Sequence, residues 1–347
     1  MATADRPQTL VLGRVAPLAE AAPHAAAPLA PPPAEASTTT VVEPEPLVEL
    51  PPRRLGFLRR RRPVQLAEAP VRPALPTVGD RVRDTVLRRR LTVDLPQQHV
   101  RIAVVSLKGG SGRTATTLGL GDVLAEHRSE PVAALDAVPL RGSLAPLAGG
   151  RSAAGVMDLL AAHETYAAFN SPAPPSHRRP SGLAVIASEH RPDARYVLGA
   201  DGYRWLSDQV LPRHYGFVVT DTPAGLSDSL MSAVLSTADL VVLTTTTGAE
   251  SASLAHDALV WMHRQGYGRI ARRALVVLSA VRAGDPGVPA ETLSKFFAAK
   301  AGAAVTIPWD RHLAAGQPID AAALEPATRT AYLTLGAAAV AALARQK

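Results

Sequence analysis

Cysteine is absent from all 347 residues, which excludes disulfides, thiolate nucleophiles and thiolate metal sites together. Aromatic residues are scarce, at 4%, so the core has to be assembled from Ala, Val and Leu. No apolar run approaches the ~20 residues that span a bilayer, and the amino terminus lacks a basic stretch followed by an apolar segment. The expectation is a soluble, cytoplasmic protein, with the inner face of a membrane as a second, peripheral location. The ten histidines are scattered without metal-ligand spacing, and each is expected to have a surface or capping role.

What is abundant is unevenly distributed. Sixteen of the 31 prolines precede residue 100, in a stretch also rich in Ala, Glu and Thr. Such a stretch has no helical or strand period to bury, so residues 1–98 are expected to form a disordered extension. Within it a short helix is predicted around Asp80 to Arg90, with Val82, Val86 and Leu87 on one side. The net charge of +7 is concentrated in residues 53–90, which alone carry +9. Arg53 to Arg62 is the densest run. It reads as a solvated charge run, or as a contact for DNA, RNA or an anionic membrane.

From residue 99 the pattern changes to short apolar runs alternating with amphipathic ones. Strands are predicted at Arg101–Val105, Val132–Leu135, Leu183–Ala187, Phe217–Thr220, Leu240–Thr246, Ala274–Ser279 and Ala304–Ile307. Helices are predicted at about Thr114–Arg128, Val156–Ala168, Gly202–Val210, Glu250–Gln265, Pro289–Lys300 and Pro326–Ala344. A Pro-rich loop covers Ser171–Ser181. Strands alternating with helices imply right-handed βαβ units. The predicted fold is therefore α/β, a mostly parallel doubly wound sheet, in one domain covering residues 99–347.

One segment carries chemistry. Residues 106–117 read Ser-Leu-Lys-Gly-Gly-Ser-Gly-Arg-Thr-Ala-Thr-Thr, between a predicted strand and a predicted helix. Glycines there let the backbone turn tightly, and consecutive N–H groups with the helix N-terminus bind an anion. Thr114, at the helix start, is placed to offer a hydroxyl to a divalent cation. Two further strands end in aspartates, Asp136 and Asp221. An aspartate in that place is commonly a turn or cap residue. Two of them beside a glycine loop, at the strand ends where open α/β sheets bind ligands, point to a site.

The lysine immediately before Gly109-Gly110 resembles the deviant phosphate loop of the ParA/MinD family of P-loop ATPases. The resemblance covers roughly residues 99–345. It implies ATP and Mg²⁺ as ligands. Lys108 matches the family lysine that reaches across a nucleotide-sandwiched dimer, and Asp136 the aspartate associated with the attacking water and Mg²⁺. These two are the candidate catalytic residues. Asp221 matches the Walker B aspartate, making Thr114, Asp136 and Asp221 the candidate metal set. Gly109, Gly110, Ser111, Gly112, Arg113, Thr114, Thr116, Ser279 and Pro308 are the candidate nucleotide contacts.

Two positions depart from the family pattern. Arg113 stands where a lysine is expected and is longer, planar and forked. Ser279 stands where an asparagine reads the base and cannot make a two-point amide contact. The extension and the run Ile307 to Gly316 resemble actinobacterial members linked to type VII secretion.

The functional expectation is an ATP-dependent homodimerisation switch acting on a protein partner. The alternatives are a non-hydrolysing scaffold of the same fold and a partitioning ATPase that binds DNA nonspecifically. The Ala-rich carboxy-terminal helix reads as a packing helix rather than a membrane anchor. Arg269, Arg272 and Arg273 read as a solvated loop.

Overall fold

The computed structural model describes residues 78–139, 141–150, 154–168, 170–188, 197–279 and 287–345. The Arg53–Arg62 run and the extension up to residue 77 lie outside the described residues.

Eight strands form a single sheet. They are β1 (Val100–Ser106), β2 (Val132–Asp136), β3 (His177–Arg178), β4 (Ala184–Ile186), β5 (Phe217–Ala224), β6 (Leu240–Thr246), β7 (Leu275–Ser279) and β8 (Ala303–Ile307). Their order is β3-β4-β2-β5-β1-β6-β7-β8. Every pairing is parallel except β3 against β4. The central strands are near-continuous runs of Val, Ile, Leu and Ala because both faces are covered. The pleat divides them by period two: Val100, Ile102 and Val104 enter one apolar cluster, Ala103 and Val105 the other.

One face is covered by α1 (Val78–Leu91), α2 (Arg113–His127), α3 (Leu144–Leu147) and, from the carboxy-terminal part, α12 (Pro326–Ala344). The other carries α4 (Val156–Ala161), α5 (His163–Ala167), α6 (Ala200–Trp205), α7 (Ser229–Thr237), α8 (Ala249–Met262), α9 (Gly268–Arg273) and α10 (Ala290–Ala298). A short α11 (Arg311–Ala314) follows β8, N-capped by Asp310 through the His312 and Leu313 amides.

Several expectations are corrected. The fold begins before residue 99: Leu87 and Leu91 of α1 are buried, and Asp84 accepts a hydrogen bond from Thr330 of α12 at 3.1 Å. Val82 and Val86, expected beside Leu87, are exposed at 59% and 44%. The register that seats Leu91 turns them outward. The helix expected over Val156–Ala168 breaks at Ala162, whose ψ of 31° ends α4. The Pro-rich loop contains β3. Gly266, at φ 90°, interrupts the helix that follows β6, and the basic cluster expected as a loop is the helix α9. The helix α7 has no counterpart among the predicted elements.

Among the described residues α12 alone is long and apolar enough to cross a membrane, contrary to the expected lack of any such run. It is instead a packing helix, as its alanine content predicts. Ala, Gly336 and Leu faces let it lie close to α1 and α2, and a Cβ on Gly336 would meet Val123 at 2.7 Å and Leu91 at 2.9 Å.

Candidate functional site

The site residues gather at the carboxyl ends of β1, β2, β5, β7 and β8. The loop after β1 turns through Gly110 (φ 76°) and Gly112 (φ 78°) into α2. Both are in the left-handed region that favours glycine. No side chain caps α2, and no acidic residue lies in its first turn. Its leading N–H groups and positive dipole end therefore face the loop without an anion from the helix itself. Gly112 is constrained twice, because a Cβ there would also lie 2.7 Å from the Ser279 hydroxyl. A register shift between Val104 and Ser106, opposite Asp221 and Ala224, re-aims the strand ends at this point.

Arg113 does not point away from the sheet. Its Nε donates to Asp221 Oδ1 at 3.1 Å and its Nη1 to Ser106 Oγ at 3.0 Å. The hydroxyl of Thr114 donates to Asp221 Oδ2 at 2.8 Å and lies 2.9 Å from Ser143 Oγ. Asp221 is fully buried. Burial pushes its carboxyl above the usual carboxylate range, while the charge and hydrogen bond of Arg113 and the Thr114 hydroxyl pull it down.

Asp136 pairs with Asp221 in parallel register, so two buried carboxylates are neighbours. Its oxygens accept the amides of Val138 (3.1 Å) and Leu144 (3.3 Å). Burial, then the charge of Asp221, push its carboxyl up to about 7. Gly142 lies against it so closely that a Cβ would sit 2.1 Å from Oδ2. Asp136 thus organises the loop into α3.

The three candidate metal ligands are brought together, but their oxygens are committed. Asp221 is held by Arg113 and Thr114, and Asp136 by backbone amides. Among the described residues no group of three or more His, Asp or Glu side chains forms a metal site. With Asp221 bonded to both Arg113 and Thr114, the side chains as they stand leave no open position between Thr114 and Asp221 for a divalent cation.

Lys108 lies on the surface, its side chain half exposed and paired with Glu250 of α8 at 2.9 Å. Ser111 is buried, with its hydroxyl 2.9 Å from Thr244 Oγ1 on β6. Thr116 is buried inside α2. Beside the loop lies an open cleft lined by Gly110, Gly112, Ser279, Pro308, Trp309 and Tyr332, among others. Ser279 and Pro308 thus lie together in that cleft beside the loop. Tyr332 was not among the sequence candidates. Its one signal is a large ring within an alanine-rich helix. It is buried, donates to the Ala115 carbonyl at 3.3 Å and forms a wall of the cleft.

A second polar group lies behind the site. Arg179 meets Asp122 of α2 in a bidentate pair at 2.9 and 2.7 Å, both side chains at most 6% exposed. The same guanidinium donates to the carbonyls of Ala148 (2.8 Å) and Ile319 (2.9 Å). It joins the phosphate-loop helix to the segment between α11 and α12.

No protein-family profile matches the chain. Over 245 residues it is 35% identical to the ESX-1 secretion-associated protein EspI of Mycobacterium tuberculosis, in strains H37Rv and CDC 1551. That match takes in 70% of the chain and 36% of EspI, so the chain spans about a third of that relative's length. Among solved structures, a chain of the MinC:MinD cell division protein complex of Aquifex aeolicus is 19% identical with a TM-score of 0.51. It covers 68% of this chain and 96% of its own. A ParA family ATPase of Chlorobium tepidum is 17% identical with a TM-score of 0.50, over 69% and 93%. The structural neighbours are MinD and ParA ATPases, and the fold is theirs.

Proposed function

We propose that this chain, a relative of an ESX-1 secretion-associated protein with the ParA/MinD fold, is a nucleotide-binding switch whose output is self-association and altered affinity for a secretion partner. One observation carries the reading: the glycine turn at 109–112 opens the N-terminus of α2 beside a cleft lined by Ser279, Pro308 and Trp309. Backbone N–H groups at such a terminus bind the phosphates, and the ring of Trp309 with Pro308 offers an apolar seat for the base. The nucleotide is ATP in this reading. Ser279 supplies only a hydroxyl at the base, so discrimination against other purines is weak.

Lys108 suits the dimer. It projects half exposed from the loop, held only by a surface ion pair that is worth little. Released from Glu250, such a side chain would be free to extend toward a second copy's phosphates.

The test is titration of ATP into the purified chain by calorimetry, with light scattering before and after. Nucleotide near a hundredfold excess over Kd should stabilise the protein by about 2.7 kcal/mol. Lys108→Ala should keep that binding and lose the ATP-induced dimer. Absence of both binding and thermal stabilisation refutes the reading. A second reading, a scaffold that binds nucleotide without turnover, is favoured by Arg113, whose guanidinium is drawn onto Asp221 rather than left free at the loop. Phosphate release separates the two, since the scaffold shows none above buffer while retaining binding.

A further inference from the structure

We propose that Arg113 is the built-in counter-cation of this phosphate loop, so that nucleotide binds here without a divalent metal. The proposal rests on the nucleotide-binding reading and goes further by assigning the cation chemistry of the site to a side chain.

A phosphate loop has two electrostatic problems. The ligand is a polyanion, and the strand end beside it carries carboxylates. A positive charge between them serves both. Here that position is taken by the guanidinium. It bridges the Asp221 carboxylate and the Ser106 hydroxyl, with its side chain only 15% exposed. Thr114 completes the arrangement by giving its proton to the other oxygen of Asp221, at 2.8 Å, while its hydroxyl lies within 2.9 Å of Ser143 Oγ.

A cation entering between Thr114 and Asp221 would have to displace both donors and leave a guanidinium beside a positive ion. Asp136, the neighbouring carboxylate, is buried and already accepts the amides of Val138 and Leu144.

The residue type matters as much as its charge. A guanidinium has five N–H donors in a fixed fork, and the two bonds to Asp221 and Ser106 use two of them. Donors remain for phosphate oxygens approaching the loop. A lysine ammonium is a compact point charge and cannot hold the carboxylate, the serine and a phosphate in one plane. The arginine at 113 is thus matched by the commitment of Asp221 to it and to Thr114.

Two measurements on the full chain test the proposal. Calorimetric titration of ATP is run in magnesium and in EDTA, for the wild type and Arg113→Lys. The wild-type Kd should agree between the two conditions within about twofold, whereas Arg113→Lys should weaken by about tenfold or more in EDTA and recover in magnesium. The second measurement needs no nucleotide. Manganese alone is titrated and followed by its paramagnetic resonance signal. The wild type should bind none, Arg113→Ala should gain a site, and Arg113→Ala with Asp221→Asn should lose it again.

A wild-type affinity that falls tenfold or more in EDTA overturns the proposal. So does manganese binding by the wild type, or an Arg113→Ala protein, folded by circular dichroism, that gains no site. If ATP binds in neither condition, the nucleotide reading fails. The manganese series then still decides whether Arg113 holds the cation position.

Discussion

Replacing Arg179 with methionine removes the cation from a carboxylate that is only 6% exposed. The Asp122–Arg179 pair is bidentate, and Ser181 Oγ adds a third bond to Asp122 at 2.6 Å. Removing one partner of a buried pair leaves an uncompensated charge and costs about 3–5 kcal/mol. The carbonyls of Ala148 and Ile319 also lose their donor, which adds about 1–3 kcal/mol for each that stays dry. The expected loss is therefore at least about 4 kcal/mol, read as a shift of urea midpoint at unchanged slope. Changing both partners, Asp122→Leu with Arg179→Met, removes the stranded charge. It should recover at least about 2 kcal/mol relative to the single change, because replacing both charges by apolar groups is often near neutral. A single substitution costing less than about 1 kcal/mol, or a double one no better than the single, would refute the claim that this network clamps α2 from behind.

Other outcomes follow from the same packing. Gly119→Ala places a methyl 2.4 Å from the Tyr332 ring and should destabilise by about 1–3 kcal/mol by thermal melting, with weaker ATP binding because that ring walls the cleft. Leu91→Ala should cost about 2–5 kcal/mol in urea unfolding, which a disordered residue 91 would not. Burial lowers the pKa of His99, so its contribution is present above about pH 6.5 and is lost as pH falls through the lower folded value. Urea midpoints should therefore drop on acidification, and His99→Phe should flatten that drop. Asp136, raised from 3.8 to about 7, acts in the opposite sense: its contribution is full below pH 3.8 and is lost as pH rises through about 7. Asp136→Asn should stabilise at about pH 8 by on the order of 2 kcal/mol more than at about pH 5.

The sheet and the loop were readable because their signals are local. A buried parallel strand needs an unbroken apolar run, and a phosphate turn needs glycines at fixed places. Each lies within a dozen residues. What was hidden is long-range. That Arg113 turns onto Asp221 depends on a partner 108 positions away, and Arg179 finds Asp122 across 57. The charge at 113 is visible in the sequence but the direction of the side chain is not, and that direction decides which groups hold Asp221. Helix α7 was missed although its cap was present. Asp228 accepts the Met231 amide at 2.7 Å, but the helix has Ser and Thr at four of its nine positions, which blurs the apolar stripe. In α1 the buried side runs through Leu87 and Leu91 rather than Val82 and Val86, and Leu91 meets Gly336 about 245 positions away.

The pairing of α1 with α12 has a consequence for biosynthesis. Leu91 and Gly336 meet in the fold but are separated by about 245 positions of chain. At ~5–20 residues per second, a ribosome delivers the second roughly 12–50 s after the first. Until then the apolar side of α1 and the outer side of α2 face solvent, exposed to chaperones and proteases. Tyr332 and Trp309 arrive in the same late stretch. The glycine turn is translated early, yet the cleft beside it takes shape only when the carboxy-terminal helix docks, so a nascent chain carries the turn long before the cleft has its walls.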